Sequence, residues 1–344
     1  MIDFMVGTFR RQDPQSHPGQ APSLRQVLEA AEARLAFDLE HQPGVRAGMM
    51  DVIGRVHMNL ADFEKARPNL EAALMLREVH GSDVERAESL HNLAALDRHQ
   101  GRLQDAEARM RRALALQQGA PDDVDSDLAR GLANLGSLLI EKGQPAEAVP
   151  FIEGALAIQE RIFGESHAET ARSFNTLATA LSRLRRPDEA EIYYRRSVEI
   201  RRALGSARRP QLAASLSNLA VLLTHRGAFG EAEQLQREAL AIRRDIYDDG
   251  HPRLASGLNG LALTLIRAHR STEALSLVRE AIEILESSGA PAWRAAIVRK
   301  NHALALAASG DCRAASVEAA EVQETLERAG RQVAARSGHT SELQ

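Results

Sequence analysis

The stretch Ser89-Leu-His-Asn-Leu-Ala-Ala-Leu-Asp-Arg-His-Gln-Gly-Arg-Leu-Gln-Asp-Ala106 decides the fold, because its main features recur at a fixed interval along the chain. An aliphatic residue followed by alanine or glycine returns at steps of 40, 42, 42, 42 and 42 residues. An alanine equivalent to Ala106 and a small-then-aliphatic pair equivalent to Ala113-Leu114 keep the same steps. Three patterns in one phase over six units predict a repeat protein. The first pattern lies at Ile53-Gly54, Leu93-Ala94, Leu135-Gly136, Leu177-Ala178, Leu219-Ala220 and Leu261-Ala262.

Each unit is predicted to form two helices. In the third unit Leu132, Leu135, Gly136 and Leu139 lie at offsets 0, 3, 4 and 7, which is one face of a helix. The second unit keeps this face except at its last position, which is Asp97. A glycine then ends the first helix in several units, and the second helix begins with an acidic residue, which favours the helix dipole. The sequence therefore predicts an all-α protein built from helical hairpins.

Composition excludes several classes of protein. The chain of 344 residues has 44% hydrophobic residues, so it can bury a core, and its net charge of −4 argues against a nucleic-acid-binding protein. The single cysteine, Cys312, excludes an internal disulfide and a cysteine-based metal cluster. No run of about 18 apolar residues is present to span a membrane, and residues 1–9 make a poor signal peptide. We therefore expect a cytoplasmic protein that binds neither nucleic acid nor membrane.

The residues that recur at the repeat interval resemble those of a known family. Asn92-Leu93-Ala94, followed by Gly101, Ala106 and Ala113, resembles the tetratricopeptide repeat. The 42-residue period and the loops Gly164-Glu-Ser-His167 and Gly250-His251-Pro252 are similar to the kinesin-light-chain subtype, over about residues 44–290. This resemblance implies a right-handed α-solenoid whose concave groove holds peptide segments of other proteins.

A second resemblance concerns the segment from Ile2 to about Arg77. This segment resembles the start of repeat arrays that follow the kinase domain in some bacterial serine/threonine kinases. The chain itself has no glycine-rich phosphate loop, no His-Arg-Asp triplet and no Asp-Phe-Gly triplet.

The repeats divide the chain into five predicted regions. We expect a flexible N-terminal segment at 1–22 and an N-terminal capping helix at 23–42, opened by the capping box Ser23 and Gln26. Six hairpin repeats follow at 43–290, and a degenerate seventh repeat at 291–330 serves as the C-terminal cap. Residues 331–344 are expected to form a disordered tail.

Candidate catalytic or metal-ligating residues all have simpler interpretations. His167 and His251 lie 84 residues apart in equivalent loops, as expected for a loop residue that repeats with the unit. The acidic run 122–127 lacks the glycine and the terminal glutamate of a calcium loop, and it is interpreted as a linker and helix cap. Arginine pairs such as Arg111-Arg112 and Arg195-Arg196 stand beside glutamates, which predicts a salt-bridged outer face. We predict no catalytic residue, no cofactor and no metal ion.

Helix geometry predicts which residues line the groove. With Leu93 and its equivalents numbered as position 7 of the first helix, positions 2, 6, 9 and 13 point away from the packed face. In six units they carry five arginines and two glutamates, a balance of +3. Asparagines recur at position 6 or one position earlier, and their amides can bond a peptide backbone. The candidate groove residues are Arg55, Asn92, Arg130, Asn134, Arg172, Asn175, Arg183, Asn218, Asn259 and Arg267.

The sequence leaves alternatives open at this site. The asparagines could instead bridge neighbouring helices, and the arginines could pair with Glu88 and Glu141. The predicted function is a non-catalytic scaffold or adaptor that binds a protein or peptide, with acidic residues, in the groove. The alternatives are a ligand-sensing regulatory module associated with a signalling kinase and an enzyme with a helical-repeat fold.

Overall fold

The computed structural model describes residues 24–118, 125–205 and 209–336. Within these ranges the chain forms fifteen α-helices and no β-strand, so the predicted all-α fold is confirmed. The helices are α1 (Leu24–Asp38), α2 (Pro43–Asn59), α3 (Phe63–His80), α4 (Asp83–His99), α5 (Leu103–Gln117), α6 (Asp125–Glu141), α7 (Pro145–Phe163), α8 (Ala168–Arg183), α9 (Pro187–Ala203), α10 (Arg209–His225), α11 (Phe229–Ile246), α12 (Pro252–Arg267), α13 (Ser271–Ser287), α14 (Ala292–Ala308) and α15 (Cys312–Arg336).

The chain divides into two compact units, Met1–Ile162 and Phe163–Gln344. In the first unit α1 precedes the hairpins α2–α3, α4–α5 and α6–α7, and in the second unit α8–α9, α10–α11, α12–α13 and α14–α15 form four hairpins. Within each unit the second helix of one hairpin packs against the first helix of the next, as in α3 against α4 and α11 against α12. Each unit is therefore a stack of helical hairpins.

The turn inside each of the six predicted repeats contains one residue with a positive φ. Three of these residues are glycines, Gly101, Gly143 and Gly227, with φ of 75°, 80° and 82°. The equivalent residues in the other repeats are Ala61, Arg185 and His269, with φ of 56°, 58° and 60°. The turn geometry is thus constant along the chain, although half of the repeats have no glycine there to adopt it without strain.

Small side chains allow the two helices of each hairpin to approach closely. Ala148 in α7 is fully buried, and so are its equivalents in the other five predicted repeats. Opposite it, a Cβ atom added to Gly136 of α6 would overlap the side chain of Ile152. This geometry agrees with close packing of antiparallel helices as the reason why small residues recur at these positions.

The packed face of the first helices contains two buried ionisable residues in the first unit. Asp97 is fully buried at position 11, where its carboxylate meets Arg109 and lies 2.6 Å from Arg67 and 3.2 Å from Arg102. His57 occupies the same position in the preceding repeat, and its Nε2 lies 3.1 Å from Glu32 of α1. The departure from the apolar pattern at Asp97 is therefore a buried carboxylate paired with three arginines.

Helix α1 covers one side of the first repeat. Leu28, Ala31 and Leu35 form one buried cluster with Met49 and Ile53 of α2. This packing is consistent with the predicted capping helix, although its importance for stability stays a prediction. The proposed capping residue, Ser23, and the segment predicted to be flexible lie outside the described residues.

The C-terminal hairpin extends further than the sequence indicates. Helix α15 continues to Arg336, so residues 331–336 belong to this helix rather than to the predicted tail. A helix of 25 residues does not need the apolar periodicity to persist to its last turn, which is why the sequence pattern ends too early. The remaining predicted tail, residues 337–344, lies outside the described residues.

Candidate functional site

The inner face is defined as positions 2, 6, 9 and 13 of the first helix in each of the six repeats. None of these 24 positions is buried, whereas Leu93 and its equivalents at position 7 are all at most 2% exposed. The predicted orientation of the first helices is therefore confirmed within each unit. Of the ten candidate residues, Arg55, Arg130, Arg183 and Arg267 are exposed, and Asn92, Asn134, Arg172, Asn175, Asn218 and Asn259 are half-buried.

The charge of the inner face differs between the two units. In the first unit two arginines, Arg55 and Arg130, are matched by two glutamates. In the second unit Arg172, Arg183 and Arg267 occupy inner-face positions, and no acidic residue does. The whole positive balance of the predicted groove therefore belongs to the second unit.

Glu88 and Glu141, the partners considered from the sequence, pair with other arginines. Glu88 lies 3.2 Å from Arg77, and Glu141 lies 2.6 Å from Arg98. Arg130 instead reaches Asp127, at 2.6 Å, one turn earlier on its own helix. Arg172 reaches Glu169 in the same way, at 2.9 Å. Pairs of this kind on a helix surface are weak.

The asparagines of the second unit bridge neighbouring first helices, as one of the sequence alternatives expected. Asn218 of α10 donates its Nδ2–H to Asn175 Oδ1 of α8 over 3.1 Å. Asn301 of α14, which was not among the candidates, donates in the same way to Asn259 Oδ1 of α12 over 2.8 Å. Each bond uses the oxygen of one amide and the nitrogen of the other. It therefore orients both amides.

The asparagines of the first unit have a different environment. Asn92 lies beside Asp51, a buried carboxyl whose pKa is raised by burial, an effect that Arg77 and Asn92 oppose. Ser89 also donates to this carboxyl, over 3.1 Å. Asn92 is thus part of a buried polar cluster around Asp51.

A row of long polar side chains on the second helices was missed from the sequence. In the second unit Arg201 donates from Nη1 to Ser215 Oγ and to the Gln211 carbonyl, both over 2.6 Å. Arg243 donates from Nη2 to Ser217 Oγ over 3.0 Å, and burial lowers the pKa of its guanidinium. Arg201-Arg202 and Arg243-Arg244 are arginine pairs of the kind that the sequence predicts to lie on a salt-bridged outer face. Arg201 and Arg243 lie instead between neighbouring hairpins.

The signal for this row is present in the sequence. The residues Arg77, Gln117, Gln159, Arg201 and Arg243 follow one another at steps of 40, 42, 42 and 42. Twelve to fourteen residues after each stands a small residue in the next first helix, such as Ser215 or Gly257. A Cβ atom added to Gly257 would lie 3.1 Å from Arg243 Nη1, so the small residue makes room for the long one.

The outer face of the second helices has the predicted salt bridges. Arg195 contacts Glu231 at 2.7 Å, and Arg202 contacts Glu238 at 2.6 Å. Both pairs join successive hairpins, because their members are 36 residues apart. The arginine pairs therefore have a structural role in connecting repeats.

The two loop histidines are helix caps. His167 Nδ1 accepts a hydrogen bond from the Glu169 backbone N–H over 3.2 Å, and its ring stacks on Phe163. His251 caps α12 in the same way through the Arg253 N–H, over 3.1 Å. Their interpretation as repeated loop residues is confirmed, and capping is the reason for the repetition.

Two features of the described part of the chain concern metal binding and membrane spanning. It contains no group of three or more His, Cys, Asp or Glu residues placed to hold a metal ion. None of its helices has the length and apolar character needed to cross a membrane.

Comparison with known proteins decides the family. The family model of the tetratricopeptide repeat matches residues 46–119, 127–203 and 211–287, which together are more than half of the chain. The chain belongs to the tetratricopeptide repeat family. Each matched stretch contains two of the hairpins described above, so the family repeat and the structural repeat coincide. Membership of this family indicates that the protein is a scaffold for protein–protein interactions.

Solved structures show the same fold. A putative kinesin light chain with nearly identical repeats from Podospora anserina is 24% identical, with a TM-score of 0.52 over 60% of this chain and 98% of that chain. BtubC (BKLC) from P. vanneervenii is 20% identical, with a TM-score of 0.56 over 72% and 93%. A Rap protein complexed with competence and sporulation factor is 14% identical, with a TM-score of 0.66 over 97% and 90%. No curated protein matches the sequence of this tetratricopeptide repeat protein significantly.

Proposed function

We propose that this chain is a non-catalytic scaffold that holds an extended, acidic segment of a partner protein on the inner face of its second unit. The observation that carries the proposal is the charge of this face, which has three arginines and no acidic residue at the 12 inner-face positions of three repeats. The chain as a whole has a net charge of −4, so this positive face is a local feature.

The side chains of this face suit two parts of an extended peptide. An arginine can hold a carboxylate through two parallel hydrogen bonds. Arg183 and Arg267 are exposed, and Arg172 is half-buried. The oriented amides of Asn175 and Asn218 offer one donor and one acceptor, which are the groups needed by a backbone carbonyl and a backbone N–H. The face therefore provides charge selectivity and backbone binding together.

The comparisons support a protein or peptide partner. The Rap protein was solved in complex with competence and sporulation factor, and its chain has the same fold. The alternative of a regulatory module beside a signalling kinase rests on sequence resemblance alone. No feature of the described residues favours that module or an enzyme over a scaffold. We place the protein in the cytoplasm, a proposal supported by its single cysteine, Cys312.

The test compares inner-face arginines of the two units. Full-length protein is titrated into three labelled pools of 12-residue peptides, one acidic, one neutral and one basic, and binding is followed by fluorescence anisotropy. The double variant Arg172→Gln and Arg267→Gln removes charge from the second unit. The matched control, Arg55→Gln and Arg130→Gln, removes the same charge from the inner face of the first unit.

The proposal expects the acidic pool to bind best and to bind more weakly as salt rises, because partly exposed charge pairs are screened. The second-unit variant should lose about tenfold in affinity, which corresponds to roughly 1.4 kcal/mol. The first-unit control should bind like the parent. Equal binding by all proteins, or an equal loss in both variants, would show that the acidic segment does not dock on the second unit.

A further inference from the structure

Helix α14 carries a stripe of exposed apolar side chains. Trp293, Ile297 and Leu304 are 40%, 46% and 45% exposed. At 100° per residue they lie within about 40° of one another around the helix. The opposite side of α14 packs in the usual way, since Ala295 and Leu306 are buried there. The stripe is therefore not part of the core of the hairpin.

The stripe lies on the inner face of the seventh hairpin. Asn301-His302-Ala303 corresponds to Asn92-Leu93-Ala94, which places His302 at position 7. Ile297 and Leu304 then occupy positions 2 and 9. The bond from Asn301 to Asn259 joins this inner face to that of the preceding repeat.

The apolar surface extends onto the two preceding repeats. Position 9 is Val221 in α10, with 39% exposure, and Leu263 in α12, which is half-buried. In α8 the same position is Thr179, and two of the three arginines, Arg172 and Arg183, lie on this helix. The inner face of the second unit thus has two of its three arginines on α8 and its exposed apolar side chains mainly on α14, while Arg267 lies on α12 and the exposed Lys300 lies beside the stripe.

The first unit has no equivalent surface. Among its 12 inner-face positions no large hydrophobic residue is exposed. Val52 is the one large aliphatic residue there, and it is half-buried. Exposed apolar side chains grouped on one side of a helix, present in one unit and absent from its counterpart, indicate a binding surface.

We infer that the partner segment is bipartite, with acidic residues bound at α8 and apolar side chains bound at α14. This inference rests on the proposed function and adds the polarity and spacing of the ligand. Neighbouring first helices are about 9 Å apart, so three steps from α8 to α14 span roughly 27 Å. An extended chain covers this distance in about eight residues. The acidic and apolar parts of the ligand should therefore be separated by about eight residues.

Charge distinguishes this occupant from a second copy of the chain. In a two-fold dimer the same patch of both copies would meet. The charged residues at the inner positions of this face are all positive. A dimer that paired the whole inner face would therefore bring Arg172 and Arg183 close to those of the other copy, and a dimer that paired the stripe alone would leave the basic part of the face without a ligand. An acidic and apolar segment from another protein satisfies both parts of the face.

The experiment selects peptides from a random 16-residue display library on the full-length chain. The test variant is Ile297→Gln with Leu304→Gln, which makes the stripe polar at exposed positions where folding is not at risk. The matched control is Ile192→Gln with Val317→Gln, since both residues are exposed aliphatics of the second unit, at 65% and 58%, outside the inner face. Sedimentation of each protein without peptide reports self-association.

The parent and the control should select peptides with acidic residues and apolar residues about eight positions apart. The stripe variant should select acidic peptides without the apolar part, and it should bind the parent's peptides about tenfold more weakly. Acidic peptides with no apolar preference, or the same apolar preference in the stripe variant, would overturn the inference and leave the proposed function standing. A parent that self-associates through Ile297 and Leu304 would also overturn it. Selection of no acidic peptides at all would instead contradict the proposed function.

Discussion

The positive-φ turn residue offers a test in which one chemical exchange has opposite effects at equivalent sites. Gly143 has a φ of 80°, and a Cβ atom added there meets nothing within 4 Å, so only the backbone opposes an alanine. Ala61 holds the same turn position with a φ of 56°. The left-handed conformation costs an L-residue about 1–2 kcal/mol, while replacing glycine by alanine recovers about 0.4–1 kcal/mol by restricting the unfolded chain.

The balance of these effects gives a sign and a magnitude. Gly143→Ala should destabilise the third repeat by about 1 kcal/mol, and Ala61→Gly should stabilise the first repeat by a similar amount. Gly44→Ala is the control, because Gly44 lies in the first turn of α2, also has open space around it and has no positive φ. There the same exchange should stabilise by about 0.5–1 kcal/mol.

The assay is native-state hydrogen exchange, because a repeat array opens locally rather than as a whole. Protection should fall in α6 and α7 for Gly143→Ala and rise in α2 and α3 for Ala61→Gly. If Gly143→Ala raised protection as Gly44→Ala does, the turn would not impose a left-handed residue, and the assigned repeat geometry would be wrong.

Three further changes probe packing, electrostatics and the N-terminal helix. Gly136→Ala places a Cβ against Ile152 and should destabilise the third repeat by on the order of 1–3 kcal/mol. Hydrogen exchange should then become faster in α6 and α7 but not in α2. An equal increase in both regions would contradict local coupling. Arg195 holds the pKa of Glu231 below its ordinary value of 4.5, so the pair stabilises above that pH and loses its effect as the pH falls through the lowered pKa. Glu231→Gln should therefore lower stability by at most about 1 kcal/mol at pH 7, and this difference should shrink as the pH falls through the lowered pKa. A difference in urea unfolding that does not change between pH 7 and pH 3 would refute this origin. Deletion of residues 1–42 removes α1 from Ile53 and should cause aggregation on size exclusion; a monomer with unchanged melting would show that α1 is not a cap.

The sequence predicts the regular part of this structure well. The three patterns that recur at the same interval predict the hairpins, the small residues where the helices cross, and the side of each first helix that faces solvent. These features depend on periodicity, and periodicity is a property of the sequence alone. The equivalence of His167 and His251 follows from the same property, although their capping bonds do not.

The partners of polar side chains are harder to predict. Asp97 breaks the apolar pattern, but its partners Arg67 and Arg109 come from two other helices, and the sequence does not say that they converge on it. Arg201 and Arg243 look like members of exposed arginine pairs, yet each is directed between hairpins by a small residue 14 positions later. The role of the asparagines is equally hard to predict, because joining two neighbouring helices and binding a ligand require the same residue at nearly the same position.

The most direct test of the central claim is hydrogen exchange of the full-length chain with and without a selected acidic peptide. The account predicts that bound peptide slows exchange in the first helices of the second unit, α8, α10, α12 and α14, and leaves the second helices α9, α11 and α13 unchanged. Protection confined to α9, α11 and α13, or to the first unit, would show that the ligand binds another surface and would contradict the account.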